Sequence, residues 1–403
     1  MDFDDSPEEA ALRSEARAWL AANAVPKGAE GDFSTPFRGT PRTLEEFEEQ
    51  EGHWVDRCRW WQAQLYRGGW AGITWPKQFG GRSGTALEEA VFQEEQSRFG
   101  VSSGAFSVGI GMAGPTIIAH GTDDQRRRYL DPMLRGDEVW CQLFSEPGAG
   151  SDLASLATRA VRDGDHWIVN GQKVWTSGAR QSERAILLAR TNTDAPKHRG
   201  ITFFVVDMRT PGIEVRPLRQ INGGYHFNEV FLTDVAVPDA NVVGAVDDGW
   251  RVAMTTLTNE RHVIGSGSGG TTVADVIDLA RRTGRNGDPN LRQQLVELHI
   301  RERVLRYLGY RTRTAIVAGR PLGPEASVAK LMNGRRGSDL ADLALAVAGA
   351  AGTLAGDAAP DTGRWADGFL FSRASRIGGG TEEVQRNVIA ERVLGLPREP
   401  AAR

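Results

Sequence analysis

Apolar positions in the first third of the chain recur at helical spacing. Leu12, Ala16, Trp19 and Leu20 share one face, the i, i+4, i+7, i+8 stripe of an amphipathic helix. Ser6, Pro7 and Glu9 precede it as a capping box, in which a hydroxyl and a carboxylate each satisfy an amide that the first turn leaves unpaired. Thr43 with Glu46 repeats the device ahead of Trp54, Cys58, Trp61 and Leu65. Thr85 with Glu88 and Thr122 with Gln125 predict two further helix starts. Trp60, Trp61, Trp70 and Trp75 are numerous enough for an aromatic ligand box. At these spacings they read better as packing residues, since indoles dominate core burial.

Near Trp140 the period changes. The turn dipeptides Asp163-Gly164 and Asn170-Gly171 separate short runs rich in Val, Ile, Trp and Thr, the signature of hairpins. Ala185–Thr191, Ile201–Asp207, Ile213–Leu218 and Glu229–Val237 continue the strand pattern, predicting a mainly antiparallel β domain over 139–242. From Gly249 to near Leu394 the chain reads as helical again. Trp250, Met254, Leu257 and Ile264 mark one face, Leu291–Val317 and Ser327–Ala350 are long helices, and Pro321 and Pro324 punctuate them. No internal repeat is evident. The order is helical, β, helical, with domains expected at 1–138, 139–242 and 243–403, an α+β class.

Composition narrows the function. A chain of 403 residues is long for one core, and 40% hydrophobic with 25% charged residues is the make-up of a soluble globular protein. Net charge is −4, and the run Arg126–Arg128 reads as a solvated helix face, so no nucleic-acid partner is expected. Cys58 and Cys141 have neither a metal-ligand spacing nor a disulfide framework, which fits a reducing compartment. The acidic stretch Met1–Glu9 is unlike a signal peptide. The most apolar stretch, Leu340–Leu354, holds Asp342 and is too short to span a membrane. A cytoplasmic enzyme without membrane insertion is the expectation.

The candidate chemistry centres on Gln142-Leu-Phe-Ser-Glu-Pro-Gly-Ala-Gly-Ser-Asp152. Pro147, Gly148 and Gly150 let the backbone turn tightly, glycine by permitting positive φ. Ser145 and Ser151 place hydroxyls at either end, and such a bend can turn amides toward a flat polar ring or a phosphate. A second stretch, Asn170-Gly-Gln-Lys-Val-Trp-Thr-Ser177, ends with an aromatic beside two hydroxyls. Together they resemble the flavin-binding signatures of the acyl-CoA dehydrogenase family. The similarity runs through Gly72-Ile-Thr-Trp-Pro76 with Gly80-Gly81, His120-Gly-Thr122 with Tyr129-Leu130, His226-Phe-Asn-Glu-Val-Phe231 and Gly380-Thr-Glu-Glu-Val-Gln-Arg386.

The resemblance implies an N-terminal α-helical domain, a middle β-barrel domain and a C-terminal four-helix bundle. It also implies FAD, an acyl-CoA substrate, an electron-transfer flavoprotein as oxidant and a homodimer or homotetramer. Gly265–Gly270, which alone reads as a linker, would be a loosened, closely packed stretch of helix. Such enzymes remove a proton from the carbon α to a thioester and pass the β-hydride to the flavin. That requires a dry flavin slot, donors on the thioester carbonyl and a carboxylate facing the α-hydrogen. Gln142, Phe144, Ser145, Trp175, Thr176 and Ser177 would contact the flavin, and Ser151 both cofactor and acyl-CoA. Thr381, Glu382 and Glu383 match positions touching FAD near its adenine arm. Arg261 would lie near the nucleotide end of the thioester.

The base departs from the commoner pattern. Many members carry a glutamate two residues before the threonine of the C-terminal signature, where this chain has Gly379. Glycine cannot accept a proton, although its N–H can still polarise the thioester carbonyl. Isovaleryl- and some long-chain enzymes place the glutamate on a helix just before an arginine, and Thr258-Asn-Glu-Arg261 stands at that place. With a helix starting near Asp248, Trp250, Met254, Leu257 and Arg261 share a stripe, and Glu260 lies about 60–100° to its side. A lone helical glutamate is ordinarily a solvated charge. Paired with the missing glutamate at 379, Glu260 is the expected base. The usual arginine and Phe-Gly pair after the first long C-terminal helix is replaced by Arg281-Arg-Thr-Gly-Arg-Asn-Gly287, and a customary Gln by Ala346. The residues holding the FAD pyrophosphate therefore stay unassigned among Arg281, Arg282 and Arg285. Two other readings stay open: a non-catalytic subunit of a heteromeric acyl-CoA dehydrogenase, and a flavin oxidase or monooxygenase on the same fold.

Overall fold

The computed structural model describes residues 5–35, 41, 43–265, 271–317, 323–354 and 358–398. These divide into two compact units: one runs up to 260 without 41 and 221–224, and the other holds 41, 221–224 and 261 onward. The α+β class and the order of helical, sheet and helical domains are as expected.

In the first unit, the caps written in the sequence start the helices. For α1 (Pro7–Asn23), the Glu9 amide donates to Ser6 Oγ at 3.2 Å and the Ser6 amide to Glu9 Oε2 at 2.5 Å. Thr43 caps α2 (Leu44–Arg67), and full capping boxes open α3 (Ala86–Gln96) and α5 (Asp123–Arg135). Between those two, α4 (Gly114–His120) continues from a π-turn at Gly109–Ala113. Trp61, Trp70 and Trp75 are buried among these helices, and Trp70 stacks on Phe92 with ring centroids 4.5 Å apart. Only Trp60 of the four is exposed. Arg126 and Arg128 pair with Asp123 and Glu138, both at 2.8 Å, and Arg127 with Asp124, so the basic run is a neutralised face.

The strands are β1 (Trp140–Leu143), β2 (Arg159–Asp163), β3 (His166–Ser177), β4 (Arg184–Arg190), β5 (Ile201–Asp207), β6 (Ile213–Leu218) and β7 (Phe227–Pro238). They form one sheet in the order β1-β4-β2-β3-β7-β6, with β5 antiparallel on β4. Pairing is mainly antiparallel, the exceptions being β1 and β2 along β4. β4 and β5 are buried on both faces. Ile186, Leu188, Phe203 and Val205 pack with the helices, while Ala185, Leu187, Phe204 and Val206 pack with β3 and β7. Two-sided burial is why these runs read as continuously apolar rather than alternating.

One predicted turn is not a turn. Asp163-Gly164 does reverse the chain between β2 and β3, but Asn170-Gly171 lies inside β3. Asn170 Nδ2 donates to Asp234 Oδ1 at 3.0 Å and its own Oδ1 accepts from the Asp234 amide at 2.9 Å, beside a register shift against β7. Gly171 is there for closeness: a Cβ on it would stand 2.7 Å from Thr158 Cα. The helix α6 (Gly249–Gly265) begins where expected, but its buried face is Val252, Ala253 and Thr256, flanked by the partly buried Trp250 and Leu257. The side chain of Ile264, residues 266–270 of the Gly/Ser cluster, and Pro321 lie outside the described residues.

The second unit packs α7 (Val273–Arg282), α8 (Pro289–Val317), α9 (Ala326–Ala348), α10 (Arg364–Phe371) and α11 (Glu382–Val388). Val276, Leu279, Leu295, Leu343, Val347 and Trp365 form its core. Among the described residues no helix is long and apolar enough to cross a membrane, and no cluster of His, Cys, Asp or Glu is fit to hold a metal ion.

Candidate active site

Beyond β1 the chain enters the turn of 144–152. The Glu146 amide donates to the Ala149 carbonyl at 3.0 Å and the Ala149 amide returns to Glu146 at 3.1 Å. The Val174 amide donates to the Ser145 carbonyl at 2.9 Å, tying the turn to β3. The glycines act differently from expectation. Neither Gly148 nor Gly150 is left-handed, and a Cβ on either would meet nothing within 4 Å. They leave bare backbone facing open space, which a flat ligand can approach. Ser151 is exposed beside Asp152, which pairs with Lys197 at 2.8 Å.

Behind the turn lies an enclosed ion pair. Lys173 Nζ donates to Glu146 Oε1 at 2.8 Å and to the Phe144 carbonyl at 3.0 Å. Burial pushes the Lys173 ammonium down to about 8 against the pull of Glu146. Burial raises the Glu146 carboxyl, but the Lys173 charge and donated hydrogen bonds overcome it and hold the group below its ordinary value.

At the end of β3 the register against β7 slips between Lys173 and Thr176, and Trp175 takes a φ of +62°. A left-handed residue with a side chain costs about 1–2 kcal/mol. The conformation turns the indole outward, 60% exposed and edge-on to Phe227 at 5.9 Å. Asn228 Nδ2 donates to the Thr176 carbonyl at 2.9 Å and holds the strand beyond the slip. Ser177 is exposed. Thr176 Oγ1 and Gln142 Oε1 are buried polar atoms with no hydrogen-bond partner among the described residues. An outward indole, these two polar atoms and bare backbone at Gly148 and Gly150 fit a flavin.

Glu260 is half-buried on α6, and Gln142 Nε2 on β1 donates to its Oε2 at 3.3 Å. Two hydroxyl contacts seat α6 on α4: Thr116 Oγ1 with Thr256 Oγ1 at 2.9 Å, and His120 Nε2 with Thr255 Oγ1 at 2.8 Å. The structure thus brings a carboxylate 118 residues away in sequence to the strand that feeds the turn.

The remaining predicted residues belong to the second unit. Arg261 is half-buried. Gly379 and Gly380 have φ of +68° and +96°, and Gln385 Nε2 donates to the Gly379 carbonyl at 3.1 Å. Thr381 caps α11, accepting from the Val384 amide at 3.3 Å. Glu382 is 4% exposed, and its carboxylate accepts from Arg376 at 2.6 Å, Arg335 at 3.1 Å and Arg386 at 3.4 Å. That carboxylate is occupied within the protein, whereas Glu383 is exposed. Arg282 pairs with Asp278 and Asp361, Arg285 with Asp288 and the Ala346 carbonyl, while Arg281 is exposed.

Sequence reasoning missed Lys173, Glu146 and Asn228. One signal was present: alternation from Trp167 and Val169 puts Lys173 on the buried face of β3, and a buried lysine requires a partner.

Sequence profiles of the acyl-CoA dehydrogenase N-terminal, middle and C-terminal domains match residues 6–137, 141–235 and 247–394. The chain is 40% identical to the acyl-CoA dehydrogenase IpdE1 of Mycobacterium tuberculosis over 393 residues, 96% of this chain and 98% of that one. It is 43% identical over 329 residues to FadE34 of the same organism, spanning 80% of this chain and 44% of that protein. The solved Tcur3481-Tcur3483 steroid ACAD matches with a TM-score of 0.81 at 29% identity, over 99% of this chain and 100% of that one. The ChsE4-ChsE5 complex from Mycobacterium tuberculosis matches with a TM-score of 0.78 at 30% identity, over 99% and 100%. The chain belongs to the acyl-CoA dehydrogenase family, whose members are FAD-dependent oxidoreductases.

Proposed function

We propose that this protein catalyses α,β-dehydrogenation of an acyl-CoA thioester to the trans-2-enoyl-CoA, with Glu260 as the base. The observation that carries this reading is the approach of Glu260 to Gln142, at the entrance to the turn of 144–152. Bound FAD supplies the acceptor for the β-hydride. The turn and the exposed Trp175 and Ser177 hold and orient the cofactor, and Ser151 binds the thioester. Glu260 takes the proton from the carbon α to the thioester. Closing substrate over a half-buried carboxylate excludes water and raises its basicity. The left-handed φ of Gly379 supports a base elsewhere, because a glutamate there would be strained.

One structural neighbour is called a steroid ACAD, and we extend that to a bulky polycyclic acyl group here. An electron-transfer flavoprotein as oxidant and a cytoplasmic location complete the proposal. The test is anaerobic flavin absorbance of the wild type and Glu260→Gln with straight, branched and ring-bearing acyl-CoAs. Rapid bleaching by ring-bearing thioesters, slowed about a hundredfold or more in a variant that keeps its FAD, is the expected result. Equal bleaching in both proteins refutes Glu260 as base. A second reading rests on the glycine at 379: the chain is one subunit of a heteromeric enzyme, as the two-component name of the ChsE4-ChsE5 complex illustrates. A stable, FAD-loaded homo-oligomer that bleaches alone removes it.

A further inference from the structure

The two segments that face the cofactor meet at one ion pair. Lys173 stands two residues before Trp175, and Glu146 directly follows Ser145. Lys173 Nζ holds the Phe144 carbonyl and Glu146 Oε1 at 3.0 and 2.8 Å. The Glu146 carboxylate also accepts from the amides of Ala157 at 2.6 Å and Thr158 at 2.9 Å. One ammonium and one carboxylate thereby fix each other and three backbone groups around the turn. An enclosed charge pair is a poor source of stability, since desolvation offsets most of the attraction and neutral replacements are often as stable. What such a pair does supply is direction, because each hydrogen bond stays satisfied in one arrangement only.

We propose that Lys173 and Glu146 are positioning residues for FAD, holding the Phe144–Ser145 main chain and the Trp175 bulge at the separation that the flavin ring requires. The inference rests on the reading that these segments bind the flavin. It touches neither the identity of the base nor that of the substrate.

The experiment compares the full-length wild type with the Lys173→Met/Glu146→Gln double variant, which removes both charges and leaves an acceptor for one of the two amides. FAD-stripped protein is titrated with FAD, followed by flavin fluorescence and visible circular dichroism, and its unfolding midpoint is recorded. The expected result is an unfolding midpoint near that of the wild type, with FAD bound about tenfold or more weakly and an altered visible spectrum. Wild-type affinity and spectrum in the double variant overturn the proposal and leave the pair as packing alone. Should the double variant not fold, Lys173→Met alone, which leaves the Glu146 carboxylate on its two amide donors, is read by the same criteria. Trp175→Ala separates the premise from the inference: undiminished FAD affinity there overturns the proposal by removing the flavin from these segments.

Discussion

Trp175 is a bulky residue in a backbone conformation that glycine adopts without cost, and its indole is turned to solvent. Strain of this kind persists only where surroundings hold it, here the Asn228 bond to the Thr176 carbonyl. Replacing Trp175 by Gly or Ala removes the same ring, so the difference between the two isolates the backbone term. The Gly variant should be more stable than the Ala variant by about 1 kcal/mol in denaturant titrations of FAD-free protein, while both hold FAD poorly. Equal stabilities would mean that no strain is stored there. Lys173 offers a second test through pH. Glu146 is the charged group facing it, and burial lowers its ammonium to about 8 from 10.5 in the unfolded chain. Between those values the unfolded chain binds more protons, so this group makes folding more favourable as pH rises. The attraction to Glu146 fades as the folded ammonium loses its proton, centred on about 8. FAD affinity should therefore fall between about pH 7 and 9.5 with no matching fall in unfolding temperature from this group, and the step should be missing in Lys173→Met. A flat affinity in the wild type contradicts this.

At the scale of elements, β3 is where local chemistry and the surrounding sheet disagree. Asn170-Gly171 has the composition of a hairpin turn, yet pairing with β2 and β7 carries the strand through it. Gly171→Ala should destabilise the first unit by about 1–3 kcal/mol, because its Cβ would press on Thr158 backbone 2.7 Å away. Urea unfolding measures this, and a loss below about 0.5 kcal/mol would show that the bulge relaxes easily. The helices were far more legible. Ser6, Thr85 and Thr122 cap as their spacing to Glu9, Glu88 and Gln125 foretells, since a capping box closes within three residues. Legibility ends where partners are distant. Glu260 and Gln142 meet across 118 residues, and Lys173 and Glu146 across 27, so even where strand alternation buries Lys173 nothing nearby names its partner. The slip that turns Trp175 outward depends on β7, more than fifty residues on, and was equally hidden.

For the molecule as a whole, the two units carry different charge devices. In the second, the hydrogen bond from Arg376 holds the Glu382 carboxyl below its ordinary value, burial opposes it, and Arg335 adds to it. A depressed carboxylate contributes stability above its unfolded pKa, near 4.5, and loses it as pH falls through the folded value. Glu382→Gln should flatten the acid limb of unfolding midpoint against pH, the two proteins converging as pH falls below 4.5 and through the lowered folded value. Parallel limbs would show that Glu382 is not the group titrating. In the first unit, the sheet does not belong to itself. Ile186, Leu188, Phe203 and Val205 face the helices while their neighbours along β4 and β5 face β3 and β7. A fragment cut at 139–242 would carry that first row as a bare oily wall and should come out of expression as aggregate. Anyone wishing to graft this turn onto another scaffold must bring the five preceding helices with it: the cassette and its casing are one piece.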